Sequence, residues 1–236
     1  MFYIIFFLVY NIFYKFILSV VDKVEKLAIF DVDFTITKKE TLLQLFKFSI
    51  KNHKKNLIYL PRAAFSGLMY GLKIYDEKKV KESFLKFIDG MKEEDLKVFV
   101  KKYYYEVLSK ILYKDALDKI KELKSKGYKV YLISASPEFY LEELYNIKEV
   151  DLIIGTRFSF EGGRFRRKMV GKNCKGEEKV RRLKEYLKEN NIKVNFKDSY
   201  MFSDSLSDRP LLDLVGKGYL INYKKENKDF EILNWK

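Results

Sequence analysis

The sequence predicts an α/β fold: a Rossmann-like parallel sheet core with an inserted α-helical cap domain, preceded by an apolar N-terminal helix. From residue 24 onward, short apolar runs alternate with amphipathic segments, which is typical of a parallel sheet covered by helices on both faces. Residues 38–114 interrupt this alternation, because they are helical in character and contain no clear strand. The sequence therefore predicts a helical insertion into an otherwise regular core.

Residues 2–21 form an apolar segment of the length that spans a bilayer. Fourteen of them are Ile, Leu, Phe or Val, and each contributes roughly −0.3 to −0.6 kcal/mol to the free energy of membrane insertion. Their sum outweighs the unfavourable contribution of Lys15, about 2.5–3.5 kcal/mol. Lys23 and Lys26 follow, so the positive-inside rule predicts a cytoplasmic catalytic domain anchored by this N-terminus. The alternative interpretation is a buried helix or a misassigned start.

Five apolar runs are predicted to be strands, at residues 27–30, 129–133, 151–154, 200–203 and 219–221. Segments with helical spacing cover residues 77–88, 93–112, 115–126, 137–145, 176–189 and 208–215. The sequence Glu161-Gly-Gly-Arg164 is typical of a hairpin turn. These boundaries divide the chain into the apolar segment 1–22, a catalytic core domain (23–37 and 115–236) and the helical cap domain 38–114.

The composition limits the chemistry that the chain can perform. The single cysteine, Cys174, excludes an intramolecular disulfide and favours a reducing compartment. The single histidine, His53, nearly excludes a Ser–His–Asp triad or a histidine-rich metal site. Any metal would be held mainly by carboxylates, which favours a hard ion such as Mg²⁺.

The chain carries a net charge of +14, and residues 164–193 hold twelve Lys or Arg against four Glu. Such a surface attracts anionic partners, for example phosphorylated substrates or anionic lipid head groups, although a solvated surface explains it equally well. The basic run has no accompanying RNA-binding aromatic signature, so no nucleic acid partner is expected.

Polar groups follow three of the predicted strands, where parallel sheets bind their ligands. They are Asp31-Val-Asp33-Phe-Thr35, Ser134-Ala135-Ser136 and Ser203-Asp204-Ser205, with Asp208 four residues after Asp204. A predicted helix begins nearby with Cys174-Lys175-Gly176-Glu-Glu-Lys179. Their order and placement at strand ends indicate one site.

These residue types suit phosphoryl transfer. An anionic phosphate ester repels a carboxylate nucleophile, so a divalent cation and a lysine are needed to offset the charge. Asp31 is the predicted nucleophile, and Asp33 can protonate the leaving oxygen and later activate water. The predicted metal ligands are Asp31, Asp204 and Asp208, with a backbone carbonyl near Asp33.

Ser134 and the backbone N–H of Ala135 are predicted to bind the phosphoryl oxygens, and a lysine adds fixed positive charge. Each motif alone has a simpler explanation: Ser134 or Asp208 can be a helix cap, and Lys175 and Lys179 can be solvated charges on a helix. Only the combination of order, spacing and position argues for a site.

In these motifs the chain resembles the haloacid dehalogenase superfamily, in particular its phosphoserine-phosphatase-like branch, in which a helical cap lies between the first and second motifs. The resemblance covers residues 24–236 and implies a Rossmann-like core, magnesium and an aspartyl-phosphate intermediate. The resemblance implies that Asp31 is the nucleophile, Asp33 the acid/base and Ser134 a phosphate binder. It also implies that Asp204 and Asp208 are the acidic residues at the metal.

The motif lysine has two candidates. Lys175-Gly176 resembles the Lys-Gly of phosphoserine phosphatases, whereas Cys174 to Lys179 resembles the Cys-x-Gly-x-x-Lys of a related subgroup. We favour Lys179, since it directly precedes the apolar helix position Val180 as in that subgroup. Phe34 departs from the Gly or Ser that the family usually has there.

Two substrate classes compete. Glu40 lies seven residues after Asp33, as does the amine-binding Glu of phosphoserine phosphatases, and Arg62 could hold a carboxylate. In contrast, Ser-Ala-Ser-Pro and the Cys-x-Gly-x-x-Lys stretch resemble a subgroup that includes a phosphatidylglycerophosphate phosphatase. The apolar stretch 57–72 could accordingly rest on a membrane or pack inside the cap.

We therefore expect a magnesium-dependent phosphomonoester hydrolase acting on a lipid-linked phosphate, with phosphoserine or another small metabolite as the alternative substrate. A non-enzymatic, membrane-tethered binding module is the third hypothesis. The complete set of acidic motifs argues against it, because an inactive relative would be expected to have lost some of them.

Overall fold

A computed structural model describes residues 24–236, and it contains a six-stranded parallel sheet in the order β3-β2-β1-β6-β7-β8. The strands are β1 (Leu27–Phe30), β2 (Lys129–Pro137), β3 (Val150–Thr156), β6 (Tyr200–Ser203), β7 (Lys217–Ile221) and β8 (Glu231–Leu233). The predicted Rossmann-like α/β fold is confirmed. The predicted apolar helix at residues 2–21 lies outside the described residues.

The central strand β1 is buried on both faces, because all four of its side chains are inaccessible to solvent. Ala28 and Phe30 belong to one hydrophobic core, and Leu27 and Ile29 belong to the other. This split follows from the two-residue repeat of a strand, which points successive side chains to opposite faces. A short, wholly apolar strand is therefore what a sheet between two helical layers requires.

The first four α-helices after β1 in the chain are α1 (Thr41–Asn52), α2 (Leu60–Gly71), α3 (Glu77–Phe84) and α4 (Glu93–Glu106). Short 3-10 helices join them, at Lys54–Tyr59, Leu85–Ile88 and Leu108–Ile111. We call residues 41–111 the helical block. The helices that accompany the sheet are α5 (Lys114–Ser125), α6 (Glu138–Leu141), α7 (Glu177–Glu189) and α8 (Arg209–Leu212).

The hairpin of β4 (Phe158–Glu161) and β5 (Arg164–Met169) lies outside the main sheet and turns at the predicted Gly-Gly pair. It contacts the helical block through the backbone, where Gly90 N–H donates to Phe165 O and Glu93 N–H donates to Gly163 O, each at 2.9 Å. The hairpin, which follows β3 in the chain, is thus joined to the helical block, which precedes β2.

The structure differs from the sequence prediction at several elements, of which three bear on the polar strand ends and the edge of the sheet. Strand β2 continues four residues beyond Ile133, so the predicted phosphate-binding serines stand within its carboxyl end. The predicted helix 137–145 is instead α6 followed by the 3-10 helix Glu142–Asn146. Strand β8 was not predicted, because three residues after a polar stretch give too short a pattern to recognise.

The end of the chain packs against the central strands. Trp235 is largely buried, and its ring centroid lies 6.4 Å from that of Phe30 and 5.7 Å from that of Phe202. Phe30 and Phe202 are themselves stacked at 4.6 Å and immediately precede the polar ends of β1 and β6. The C-terminus therefore supports the strands that carry the polar groups.

Across residues 24–236, none of the helices combines the length and the apolar character that crossing a bilayer demands. The apolar stretch 57–72 forms part of a 3-10 helix and helix α2 in the helical block.

Candidate active site

A cavity of about 390 Å³ lies where the carboxyl ends of β1, β2 and β6 meet the helical block. The core contributes the polar groups predicted from the strand ends, which are Asp31, Asp33, Ser134, Ala135, Lys175, Lys179, Asp204 and Asp208. The helical block contributes Tyr70, Glu77, Val80 and Lys81, and Glu40 lines the cavity immediately before the block begins. The structure thus brings the predicted motif residues to a single cavity between core and block.

Lys179 connects two of these carboxylates. Its Nζ lies 2.7 Å from Asp31 Oδ1 and 2.6 Å from Asp208 Oδ2, and the lysine is almost fully buried. Lys179 lies in the first turn of α7, and Gly176, the residue before that helix, has a φ of 56° in the left-handed region that favours glycine. A buried cation between two carboxylates places a fixed positive charge directly beside Asp31.

Asp208 holds this lysine and does not act as a helix cap. Although it precedes α8, its side chain makes no capping hydrogen bond there. Its Oδ2 accepts hydrogen bonds from Lys179 Nζ and, at 2.8 Å, from Ser203 Oγ. Asp208 thus orients the charge that contacts Asp31.

Burial and neighbouring charges act on the acidic residues of the cavity. Burial raises the pKa of Asp31, and the charges of Asp208 and Asp33 add to this, although Lys179 opposes it. Burial also raises the pKa of Asp204 to about 6, with a further contribution from Asp208. Burial disfavours the charged form of Lys179, but Asp31 and Asp208 outweigh it and raise the pKa of the lysine. The protein alone therefore only partly stabilises the negatively charged forms of Asp31 and Asp204.

The donor set of this cavity fits a hard divalent cation. Among residues 24–236, no three acidic, cysteine or histidine side chains are gathered so as to hold a metal ion by themselves. Magnesium in phosphate-processing sites is commonly held by one or two carboxylates, with water and phosphate oxygens completing its coordination. Asp31 and Asp204 supply two carboxylates at the ends of neighbouring strands, and a cation between them would stabilise their charged forms, which burial disfavours.

Asp33 is fixed by groups from both sides of the cavity. Its Oδ1 accepts from Thr41 N–H at 2.7 Å, at the start of α1, and its Oδ2 accepts from Ser136 Oγ at 2.5 Å. Thr41 in turn is held by Tyr140 and Tyr103, which hydrogen-bond its hydroxyl and carbonyl oxygen. Asp33 thus has a defined orientation two residues beyond Asp31, as an acid/base requires.

The carboxyl end of β2 provides the segment predicted to bind phosphoryl oxygens. Ser134 is buried, and its Oγ accepts from the backbone N–H of Ser136 at 3.1 Å. The carbonyl oxygen of Ala135 accepts from Thr156 Oγ1 at 2.6 Å. Both residues line the cavity, so their predicted position beside Asp31 agrees with the geometry.

Lys175 is placed differently from Lys179. Its Nζ lies 2.5 Å from Glu77 Oε1 on α3, and the lysine is largely exposed. The other oxygen of Glu77 accepts from Asn173 Nδ2. Lys175 therefore joins the core to the helical block, whereas Lys179 contacts the candidate nucleophile.

Lys81 of α3 is a cavity residue that sequence reasoning missed. Its Nζ lies 2.5 Å from Ala135 O and 2.6 Å from Asn173 Oδ1. Burial lowers its pKa to about 8, although Glu77 and Asp33 favour its charged form. The sequence around it shows only an amphipathic helix, and nothing in that pattern distinguishes this lysine from the exposed Lys78.

The two predicted specificity residues have different surroundings. Glu40 lines the cavity and caps α1, since its carboxylate accepts from the backbone N–H groups of Leu42 and Leu43. Burial, and then the charge of Asp33, raise the pKa of Glu40 to about 7. Arg62 does not line the cavity; it is exposed and its Nε donates to Ser83 Oγ at 3.1 Å.

Phe34 stands at the entrance with its side chain half exposed. Its φ of 55° lies in the left-handed region, which costs a residue with a side chain roughly 1–2 kcal/mol. A tight turn between Asp33 and Thr35 imposes this conformation, since Thr35, Ile36 and Thr37 all donate to Val32 O. An aromatic ring replaces the small residue that suits such a turn.

A parallel sheet with an Asp-x-Asp after its central strand, a buried lysine on the first of these aspartates and further acids after the next strand defines the hydrolase architecture of the haloacid dehalogenase type. Residues 28–213 match the family described as haloacid dehalogenase-like hydrolase, and the chain belongs to that family. The predictions of this family and of a hydrolase are confirmed.

The chain is similar to a phosphoserine phosphatase of Archaeoglobus fulgidus, with 24% identity over 89% of this chain and 56% of that protein. Its fold is similar to that of a protein of unknown function from Bordetella pertussis Tohama I, with a TM-score of 0.76, 21% identity and coverage of 86% and 92%. It is also similar to a phospho-aspartyl intermediate analogue of phosphoserine phosphatase, with a TM-score of 0.57, 19% identity and coverage of 86% and 88%. The chain thus spans little more than half of that first relative's length.

Proposed function

We propose that this protein is a magnesium-dependent phosphomonoesterase that forms an aspartyl-phosphate on Asp31 and acts on a phosphorylated small molecule. The contact between Lys179 Nζ and Asp31 Oδ1 carries the proposal, because it sets a buried cation beside a carboxylate at the end of the central strand. A simple surface ion pair would not be buried in a cavity with three further aspartates. The similarity to a phosphoserine phosphatase studied as a phospho-aspartyl analogue supports the same route.

The residues suggest a two-step reaction. A carboxylate oxygen of Asp31 attacks phosphorus, the ester P–O bond breaks, and protonated Asp33 gives its proton to the leaving oxygen. Water then attacks the phosphorus of the aspartyl-phosphate, Asp33 takes a proton from it, and phosphate and free Asp31 result. Ser134 and the N–H of Ala135 orient the phosphoryl oxygens, and Lys179 stabilises their charge.

Asp31 and Asp204, with a backbone carbonyl near Asp33, would hold the magnesium ion. Bound there, it supplies a Lewis acid that offsets the repulsion between the phosphate ester and the carboxylates. Asp208 contributes indirectly in this arrangement, because its Oδ2 is engaged by Lys179 and Ser203.

A phosphorylated amino acid or a similar metabolite is the favoured substrate class, because a cavity of about 390 Å³ lined by Glu40 and Lys81 suits a small ligand with its own charges. A lipid-linked phosphate, such as phosphatidylglycerophosphate, is the second candidate. It is favoured by one observation, the exposed apolar side chains of α2, the helix whose Tyr70 lines the cavity.

Hydrolysis of an aryl phosphate with and without magnesium tests the reaction class and separates an enzyme from a membrane-tethered binding module. We expect magnesium-dependent turnover and, after acid quenching, a phosphoryl label on Asp31. Absence of both would refute the proposal. A screen of phosphorylated metabolites and of phospholipids in detergent micelles then ranks the two substrate classes by kcat/KM.

A further inference from the structure

Helix α2 exposes an apolar face. The positions on this face repeat at intervals of three and four residues, which places them on one side of a helix, and they are Leu60, Pro61, Ala64, Phe65, Leu68 and Leu72. The side chains of Phe65, Leu68 and Leu72 are between 53% and 59% exposed. Leu57 and Ile58, in the preceding 3-10 helix, extend this surface. We call Leu57, Ile58, Leu60, Phe65, Leu68 and Leu72 the apolar patch.

The opposite side of α2 is buried through polar contacts. Ser66 is 1% exposed, and its Oγ lies 2.6 Å from Ser83 Oγ on α3 and 2.8 Å from the carbonyl oxygen of Arg62. An amphipathic helix at a protein surface normally buries its apolar face and exposes its polar one. Because α2 instead leaves its large apolar side chains exposed, the apolar patch is available to another apolar phase.

Positive charge flanks the apolar patch along the chain. Residues 47–81 contain nine Lys or Arg and two acidic residues, a net charge of +7. Exposed lysines lie immediately before and after the patch in the chain, at Lys51, Lys54, Lys55 and Lys73. An apolar surface bordered by lysines matches a bilayer that offers acyl chains behind anionic head groups.

We propose that the apolar patch docks on an anionic phospholipid bilayer, with its side chains at the acyl boundary and the neighbouring lysines among the head groups. Charge favours this occupant over two others. A second copy of the patch would bring two groups of lysines together, and residues 2–21 contain no acid that could meet them. Tyr70, on another side of α2, lines the cavity, so docking would place one cavity wall next to the membrane surface. The docking itself does not depend on the proposed function.

The sequence permits a local probe of this contact in the full chain. Cys174 is its only cysteine and is fully buried, so a cysteine introduced at the surface can be labelled selectively. Ala64→Cys puts an environment-sensitive fluorophore inside the patch while leaving its large side chains intact. Val98→Cys is the matched control, because Val98 is 70% exposed on α4 and lies outside the patch.

With vesicles of phosphatidylglycerol and phosphatidylcholine, the label at position 64 should shift to the blue and lose accessibility to acrylamide, whereas the label at 98 should not. Lys54→Gln with Lys55→Gln should raise the lipid concentration needed for half of this shift by about fivefold for each charge. Equal shielding by pure phosphatidylcholine would overturn the proposal. A label at position 64 that stays accessible to acrylamide on protein that sediments with the vesicles would also overturn it. Shielding of that label before lipid is added would overturn it too, because another part of the chain or a second copy would then cover the patch.

Discussion

Lys81 on α3 hydrogen-bonds the carbonyl oxygen of Ala135, with 2.5 Å between Nζ and oxygen. The contact joins the helical block to the segment of β2 beside Asp31, and it brings a third lysine to the cavity that Lys175 and Lys179 also line. Burial lowers the pKa of Lys81 to about 8. A lysine so placed adds positive charge that depends on the contact between the block and the core and on pH.

Lys81→Met should change how stability depends on pH. The pKa of Lys81 is about 8 in the folded protein and near 10.4 in an unfolded chain, so between these values the unfolded state binds more protons and folding stability rises with pH. This pH-dependent contribution to folding stability is absent in Lys81→Met. Urea unfolding at pH 7 to 10 should therefore show wild type gaining stability relative to Lys81→Met, with Lys78→Met as the exposed control. A constant difference across this range would contradict the lowered pKa.

Asp31→Asn should reduce kcat by at least about 10³-fold, because an amide cannot serve as the nucleophile. The change is nearly isosteric, so circular dichroism and the unfolding midpoint should stay close to wild type. Asp118→Asn, on the exposed surface of α5, should leave phosphate release unchanged. Turnover that persists in Asp31→Asn would remove this residue from the mechanism.

Lys179→Ala should lower kcat much more than Lys175→Ala. Removing Lys179 should cost about 3–4 kcal/mol of transition-state stabilisation, by analogy with loss of one oxyanion donor, and should also destabilise the fold because Asp31 and Asp208 lose their buried partner. Removing Lys175 breaks a contact with Glu77 that is partly open to solvent, so kcat should fall only a few-fold. The opposite ranking of kcat in steady-state assays would assign the catalytic charge to Lys175.

Asp204→Asn should weaken magnesium binding by about tenfold or more, since one of two carboxylate ligands becomes neutral. Chelation should abolish activity in wild type and added magnesium should restore it, at a higher concentration in the variant. The magnesium-induced rise in unfolding temperature provides a readout without turnover. Identical magnesium titrations for Asp204→Asn and wild type would argue against this ligand.

Glu40→Gln should raise KM for phosphoserine selectively, if the Glu40 carboxylate binds the substrate amine. Glutamine keeps an oxygen that can cap α1, so stability should change by less than about 1 kcal/mol. KM for an aryl phosphate, which has no amine, is the internal control. If both KM values rise equally, Glu40 shapes the cavity without binding the amine. If the wild-type protein does not hydrolyse phosphoserine, phosphoserine is excluded as a substrate.

The motif residues at the strand ends could be predicted because parallel strands align their carboxyl ends, so Asp31, Ser134 and Asp204 must meet once the order of elements is known. Strand β1 and strand β6 were predicted at their observed bounds for a related reason: both are short apolar runs ended by polar residues.

Contacts between the helical block and the core could not be predicted. Lys81 and Glu77 lie on an amphipathic helix, and whether such a charge faces solvent or a cavity depends on how α3 packs, which local spacing does not encode. The same reason explains Arg62, whose guanidinium contacts Ser83 of the block and does not line the cavity. Only the assembled tertiary structure distinguishes these residues from solvated charges.

Trp235 gives the protein an intrinsic optical probe. It is the only tryptophan in the sequence, and its indole contacts Phe30 and Phe202, the residues immediately before Asp31 and Ser203. Emission excited at the red edge of protein absorbance therefore comes from one position, directly behind the polar strand ends that line the cavity. Stopped-flow recordings of that emission should follow ligand entry and release in the unlabelled wild-type protein, without a coupled assay.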